Sequence, residues 1–200
     1  MQTFLTINRI KYGLFQKRAT LSIPAKIAAT VAVAALTGLL AQIRIPLPFT
    51  PVPITGQTLA VLMAGVVLGR RWGGASMALY AMAGFAGLPW FTGFSSGIGA
   101  TSGYILGFVP AALFLGYFVD KYVKSRRLVP MMALMLAAIV IYYIPGAIWL
   151  SIWLKNAGMA SGFSNVIALS ITPFIVGDVI KAVTAGLVAF AVVPKQNYSA

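Results

Sequence analysis

Residues 170–193 read SITPFIVGDVIKAVTAGLVAFAVV, an apolar stretch of bilayer-spanning length that contains two charged side chains, Asp178 and Lys181. An ionisable group at membrane depth costs about 3 kcal/mol or more unless it is paired or faces a polar cavity, and it marks a functional site by default. Because the two residues are three positions apart on a predicted helix, both project from one face and reach each other. The pair is interpreted as the lining of a ligand cavity, with a structural ion pair between helices as the alternative.

The composition predicts an integral membrane protein. Of the 200 residues, 60% are hydrophobic and 8% are charged, whereas a soluble domain carries about 25% charged residues. The net charge of +13 raises the question of nucleic acid, but the basic residues form short clusters between apolar runs, which is typical of cytoplasmic loops. Cysteine and histidine are absent, which excludes thiolate nucleophiles, imidazole bases and the usual zinc ligands. No nucleic acid, metal or cofactor is therefore expected.

Six apolar stretches predict six transmembrane helices. The expected fold is an all-α integral membrane protein, a six-helix bundle that forms one substrate-binding domain over residues 27–193. The predicted spans are 27–43, 58–69, 74–91, 103–119, 131–153 and 166–193. The second span is short and is expected to begin near Ile54. Pro145 and Pro173 predict kinks inside the fifth and sixth spans.

Basic residues are distributed unequally between the two sides of this bundle. If the N-terminus is cytoplasmic, the outer side receives only Arg44 and Lys155, and Lys181 lies within a span. The inner side receives twelve: Arg9, Lys11, Lys17, Arg18, Lys26, Arg70, Arg71, Lys121, Lys124, Arg126, Arg127 and Lys195. Since cytoplasmic loops carry an excess of Lys and Arg, both termini are predicted to be cytoplasmic.

The two ends of the chain are expected to lie outside the bundle. Residues 1–26 mix apolar and basic side chains, which predicts a basic cytoplasmic segment and suggests an amphipathic helix in the membrane interface. A cleaved signal peptide is the disfavoured alternative, because the basic region before the apolar stretch is too long. Residues 194–200 are expected to form a short cytoplasmic tail.

Two outer loops have compositions that suggest a role in ligand binding. The first, RIPLPFTPVPITGQT over residues 44–58, has four prolines between Pro46 and Pro53, so it is expected to be extended and stiff. A stiff loop suits a cover over a cavity, because little entropy is lost when it closes; a simple turn is the alternative. The second, TGFSSGIGATSGY over residues 92–104, is rich in small residues whose amides and hydroxyls can approach a polar ligand. A flexible linker has the same composition.

Small residues recur every four positions on two predicted helices. They are Ala25 with Ala29 and Ala28 with Ala32 around the start of the first span, and Gly103, Gly107 and Ala111 in the fourth. Such faces let helices pack backbone to backbone. Packing within the bundle is the favoured use, and docking of a partner subunit is the alternative.

Three functional classes are considered from the residues. The chain has no P-loop motif, so concentrative transport would require a partner that carries the ATPase. An intramembrane enzyme is disfavoured, because aspartyl chemistry needs two carboxylates and Asp120 is expected at the cytoplasmic end of the fourth span, far from Asp178. A membrane scaffold without a ligand explains the small-residue faces, but it explains neither the buried charged pair nor the stiff loop.

Four stretches of the chain have a recognisable pattern: AQIRIPLPFTPVPITGQTLAVLMAGVVLGRRWGGASMALYAMAGFAGLPWFTG at 41–93, TSGYILGF at 101–108, GAIWLS at 146–151 and VGDVIKA at 176–182. They resemble the BioY family, the biotin-specific S components of energy-coupling-factor (ECF) vitamin transporters. The resemblance implies a six-helix protein of the bacterial cytoplasmic membrane that captures biotin from outside. It also implies a transmembrane coupling subunit and two cytoplasmic ATP-binding-cassette ATPases as partners.

The resemblance also implies roles for particular residues. Asp178 and Lys181 stand where the family contacts biotin, and Ser95 and Ser96 match its polar residue in the glycine-rich loop. Phe49 and Thr50 belong to the covering loop, Gln57 matches a family glutamine, and the Ala25, Ala28, Ala29 and Ala32 face corresponds to the docking face for the coupling subunit. Biotin also has apolar rings, for which the candidate enclosing aromatics are Phe49, Trp90, Tyr104 and Trp149. An interfacial or core position is the alternative for each aromatic.

Overall fold

The computed structural model describes Gly13, Phe15, Arg18, Thr20 and residues 21–195. Most of the predicted N-terminal segment and residues 196–200 of the predicted tail lie outside these residues. The helices are α1 (Ile23–Gln42), α2 (Gln57–Phe85), α3 (Ser102–Lys121), α4 (Leu128–Asn156), α5 (Phe163–Ser170) and α6 (Ile175–Val192). Short 3-10 turns, Val123–Arg126 and Thr172–Phe174, precede α4 and α6, and two strands, β1 (Arg44–Leu47) and β2 (Thr50–Thr55), follow α1.

The described part of the chain is mostly helical, and four of its segments have the length and hydropathy of a bilayer crossing. They are α1, α3, α4 and the segment Phe163–Val192 that contains α5 and α6. Many large apolar side chains on these segments are exposed, for example Val129 on α4 and Val176 on α6. Because exposing so much apolar surface to water is unfavourable, these faces are suited to contact with lipid.

Helix α2 reverses direction at Gly69, which has φ of 80°. Its two arms, residues 57–68 and 70–85, pack antiparallel: a Cβ atom on Gly73 would lie 2.7 Å from the carbonyl oxygen of Ala64. At the far end of the arms, the Gln57 amide donates to the Tyr80 hydroxyl at 2.5 Å. The predicted spans 58–69 and 74–91 correspond to these arms, each of which is shorter than the roughly 20 residues of a full crossing.

The proline-rich loop forms an antiparallel hairpin of β1 and β2, in which Arg44 faces Thr55, Ile45 faces Ile54 and Leu47 faces Thr50. The extended conformation agrees with the sequence prediction. This two-stranded hairpin departs from the all-α prediction, although the described chain is mostly helical. Proline removes a backbone donor, and a two-stranded sheet tolerates this because each strand has one unpaired edge.

The predicted kink at Pro173 is a complete break between α5 and α6. Proline has no N–H for the carbonyl of Leu169, and the N–H of Phe174 bonds to Ile171 instead of Ser170. The two released carbonyls have other donors: the Thr50 hydroxyl bonds to Leu169 at 2.8 Å, and the Tyr104 hydroxyl bonds to Ser170 at 2.8 Å. The break therefore attaches the hairpin and α3 to the last span.

The small-residue stripe of α3 packs inside the bundle, as the favoured sequence interpretation has it. A Cβ atom would lie 2.3 Å from the Pro145 carbonyl oxygen at Gly103, and 2.7 Å from the Tyr142 Cα at Gly107. On α1, by contrast, Ala28 and Ala32 are exposed, whereas Ala25 and Ala29 are half-buried.

Candidate functional site

The charged pair lies on the one face of α6 that turns into the bundle. Asp178 is 4% exposed and Lys181 is partly buried, and they share this face with Ala182, Ala185 and Ala189. The remaining α6 positions carry mostly exposed apolar side chains such as Val176 and Ile180. The Lys181 Nζ lies 2.6 Å from Asp178 Oδ1, so the contact that the three-residue spacing predicts is present.

The Asp178 carboxylate accepts four hydrogen bonds. Two tyrosine hydroxyls donate to Oδ2, Tyr142 at 2.8 Å and Tyr143 at 2.7 Å. Oδ1 accepts from the Lys181 ammonium at 2.6 Å and from the Thr58 hydroxyl at 3.4 Å. Since an ionised carboxylate has about four acceptor positions, the buried charge is fully satisfied.

The ammonium of Lys181 is satisfied in the same way. Besides Asp178, it donates to the Thr55 carbonyl oxygen at 2.9 Å and to the Thr58 hydroxyl at 3.0 Å. An ammonium has three protons, so all of them are in use. One of these acceptors, Thr55, belongs to the hairpin and the other two belong to helices.

Sequence reasoning missed Tyr142, Tyr143, Thr55 and Thr58. The two tyrosines carry a signal that was available, because they lie near the middle of the predicted span 131–153 rather than at an interface. A buried Tyr hydroxyl needs a hydrogen-bond partner, and tyrosines in spans are otherwise typical of interfaces. The two threonines carry no comparable signal, since a single hydroxyl is common in an apolar helix.

A small cavity of about 40 Å³ lies between the charged pair and the hairpin. The hairpin contributes Val52 and Ile54, and α3 contributes Tyr104 and Phe108. Its polar lining is formed by Thr55, Gln57, Thr58, Thr92, Thr101, Tyr142, Tyr143, Asp178 and Lys181. Pockets that enclose small organic ligands measure about 300–1,000 Å³, so a ligand of that class requires the hairpin to move outward.

Some of the other predicted site residues line the cavity and the rest do not. Gln57 and Tyr104 line the cavity, and Thr50 attaches the hairpin to the last span instead of lining it. Phe49 is 56% exposed at the tip of the hairpin. Ser95 and Ser96 are exposed in the second outer loop, where the Ser95 hydroxyl donates to the Thr92 carbonyl at 2.9 Å. In that loop Thr92 and Thr101 reach the cavity, whereas neither serine does.

The side chains that line the cavity can bind a polar ligand. Among the described residues no group of three or more metal-binding side chains is found. The second carboxylate, Asp120, is sixteen residues from Tyr104 along α3, which is about 24 Å at 1.5 Å per residue. It forms an ion pair with Arg18 there. The cavity therefore offers one anion, one cation and several hydroxyls to a polar ligand.

Comparison with known proteins identifies the family. A sequence model described as the BioY family matches residues 15–197. The probable biotin transporter BioY of Methanothermobacter thermautotrophicus is 44% identical over 142 residues, covering 68% of this chain and 90% of that protein. The biotin transporter BioY of Rhizobium etli is 38% identical over 158 residues, covering 74% and 81%.

The fold is similar to a crystal structure of the S-component for biotin from an ECF-type ABC transporter, with a TM-score of 0.72. The two chains are 24% identical, and the match covers 85% of this chain and 93% of that one. The family match extends over most of the described residues, including both strands of the hairpin and both charged residues of α6. On these grounds the chain belongs to the BioY family.

Proposed function

We propose that this protein captures biotin with high affinity and takes it up as the substrate-binding S component of an ECF-type transporter. The proposed location is the cytoplasmic membrane of a bacterial cell. A transmembrane coupling subunit and cytoplasmic ATP-binding-cassette ATPases are the proposed partners, because the chain itself has no P-loop. Relatives that cover most of this chain are named as biotin transporters, which supports the proposal and disfavours an enzyme.

The single observation that carries the proposal is the charged pair beneath a covered cavity. A scaffold without a ligand would gain nothing from lining a cavity with Asp178 and Lys181, since apolar packing of similar volume is often at least as stable as a buried ion pair. Biotin has a ureido carbonyl and a carboxylate, so it can accept a hydrogen bond from the Lys181 ammonium. Charge-assisted bonds of this kind are about twice as strong as neutral ones.

Outward movement of the hairpin would change the two charged groups differently. All four donors to Asp178 lie on helices, so they stay in place when the hairpin leaves. Lys181, however, loses the Thr55 carbonyl and gains one unused proton. We therefore propose that Lys181 donates to an acceptor of biotin, while Asp178 holds the ammonium in position.

The proposed topology has six spans and cytoplasmic termini. It is supported by the antiparallel arms of α2, which supply two further passes between α1 and α3. A cluster of basic residues also supports it. At the end of the bundle away from Asp178, one cavity is lined by Arg18, Lys26, Arg70, Arg71 and Lys121. Under the positive-inside rule, that end would face the cytoplasm.

The proposed docking face for the coupling subunit is the exposed pair Ala28 and Ala32 on α1. Their small side chains permit close approach of a partner helix, and neither is covered by another described part of the chain. Ala25 and Ala29 are half-buried, so they are less accessible to a partner than the exposed pair.

Isothermal titration of the purified protein with biotin tests the function. We expect saturable binding to the parent, and weaker binding to Asp178→Asn and to Lys181→Ala. Two variants serve as matched controls: Asp120→Asn changes the other carboxylate, and Lys155→Ala changes an exposed lysine outside the cavity. Both controls are expected to bind biotin as the parent does.

Two results would contradict the proposal in different ways. If the parent neither binds biotin nor is thermally stabilised by it, the scaffold alternative gains support. If the parent binds but both site variants bind equally tightly, biotin is the ligand and the assignment of Asp178 and Lys181 is wrong.

A further inference from the structure

A second and larger cavity lies at the end of the bundle away from the charged pair Asp178 and Lys181. It measures about 440 Å³ and lies where α1, the turn of α2 and the C-terminal end of α3 meet. Five basic residues line it, Arg18, Lys26, Arg70, Arg71 and Lys121, together with one carboxylate, Asp120. The cavity wall therefore carries a large positive surplus.

The single carboxylate is already engaged. Asp120 forms an ion pair with Arg18, and its Oδ2 accepts the backbone N–H of Arg70 at 2.9 Å. The side chains of Arg70, Arg71 and Lys121 are exposed. The Arg70 guanidinium lies 5.1 Å from the centre of the Tyr117 ring, and Lys121 donates to the Tyr117 hydroxyl at 2.9 Å. Tyr117 therefore holds two cations at the mouth of the cavity, where an anion can reach both.

An apolar cleft adjoins this basic cavity. It measures about 400 Å³ and shares Lys26, Arg71 and Trp72 with the cavity, and its other walls are Ile23 and Ala75. Trp72 is half-buried between the two spaces. Trp and Tyr are typical of the level where lipid headgroups meet acyl chains. The basic cavity is thus continuous with the apolar cleft along the outside of the helices.

We propose that this composite site binds one acidic phospholipid. The headgroup phosphate would contact the exposed guanidinium groups of Arg70 and Arg71, and the first part of an acyl chain would follow Ile23 and Ala75. Basic pockets between transmembrane helices suit anionic headgroups, and Arg pairs with phosphate in a bidentate manner. An acidic peptide or free phosphate would use the cations but would leave the apolar cleft empty, so the lipid fits more of the site.

Native mass spectrometry of the purified protein tests this proposal. The protein is titrated with phosphatidylglycerol and with phosphatidylcholine of identical acyl chains, and biotin binding is measured on the same samples. We expect one phosphatidylglycerol to bind more tightly than phosphatidylcholine. The double variant Arg70→Gln with Arg71→Gln should weaken phosphatidylglycerol binding by about ten- to thirtyfold, whereas the corresponding lysine variant should retain most of it.

A second double variant, Lys124→Gln with Arg127→Gln, is the matched control. Both residues are exposed, they carry the same charge and neither lines the cavity or the cleft. Control binding at the parental level supports the site, and an equal loss in both double variants would show surface charge alone and overturn it.

Two further arms separate other ligands that carry negative charge. If inorganic phosphate or a Glu-rich peptide displaced the lipid and bound more tightly, the site would belong to a free anion or to an acidic protein segment, and the lipid proposal would be wrong. Because the proposal does not involve biotin, failure of this lipid test with intact biotin binding leaves the proposed transport function standing.

Discussion

The two tyrosines that donate to Asp178 are expected to stabilise the protein together rather than separately. Both hydroxyls donate to the same atom, Oδ2, at 2.8 Å and 2.7 Å. Replacement of either Tyr142 or Tyr143 by Phe leaves one donor on Oδ2. Interhelical hydrogen bonds in membranes are worth about 0.6–1.7 kcal/mol, so each single change should cost about 1 kcal/mol.

The double replacement should cost more than the sum of the two. It removes both hydroxyl donors to Oδ2 of Asp178, a residue that is only 4% exposed. A buried charged group that lacks its hydrogen bonds costs more free energy than one lost hydrogen bond. We expect about 3 kcal/mol. At about 2–4 °C per kcal/mol for a chain of this size, the single variants should lower Tm by about 2–4 °C and the double variant by about 6–12 °C.

Thermal unfolding in detergent, followed by intrinsic fluorescence, measures these shifts. Tyr104→Phe is the matched control, because its hydroxyl donates to the neutral carbonyl of Ser170. The same tyrosine variants are then made in an Asp178→Asn background. If Tyr142→Phe and Tyr143→Phe cost as much there as in the parent, the tyrosines stabilise the protein by packing and the reasoning about Oδ2 is refuted.

Three other changes have definite expected results. Gly69→Ala should lower the free energy of unfolding by about 1–3 kcal/mol, measured by chemical denaturation, because Gly69 has φ of 80°; unchanged stability would contradict this. Arg126→Gln should lower Tm by several degrees, because this residue is 0% exposed and donates to carbonyls at the end of α3. Exposed Arg127→Gln is its control, and equal shifts would refute the argument. Thr50→Val should tighten biotin binding about fivefold in isothermal titration, because outward movement of the hairpin no longer breaks a bond to the last span, while Thr184→Val should leave the affinity unchanged.

The sequence predicts the charged pair well because its geometry is local. Three-residue spacing on one helix fixes that Asp178 and Lys181 meet, whatever surrounds them. The other members of the network come from β2, α2 and α4, and their contacts depend on where the hairpin lies and on how those helices are rotated about their axes. The positions of Tyr142 and Tyr143 in the sequence do not determine that rotation. The hydroxyl partners of Asp178 can therefore be identified only from the structure.

The same distinction between local and long-range information explains the loops. Four prolines make residues 46–53 extended by a local constraint, and the structure agrees except at the turn 48–49 between the strands. Strand pairing and the placement of Thr92 in the cavity depend on contacts with other elements. The exposed positions of Ser95 and Ser96 likewise follow from the turn between Phe91 and Ser95, whose backbones pair in an isolated bridge.

The break at Pro173 links the fold to the proposed binding cycle. Proline leaves the Leu169 carbonyl without a helical donor, and the Thr50 hydroxyl of the hairpin supplies one. The hairpin is also held by Lys181 through the Thr55 carbonyl and by the buried side chain of Val52. Each polar contact has a net value of about 1 kcal/mol, and water can replace the hydroxyl at Leu169 once the hairpin lifts.

Opening therefore costs only a few kcal/mol, and it exposes one proton of Lys181 without disturbing the four donors to Asp178. A ligand acceptor that takes this proton recovers part of that cost, whereas a ligand without an acceptor recovers none of it. The backbone break, the movable hairpin and the fixed carboxylate together favour a ligand that presents an acceptor to Lys181. The hydrogen-bond partners of the Asp178 carboxylate stay in place throughout. Lys181 therefore determines which ligands bind, and Asp178 maintains the geometry of the site.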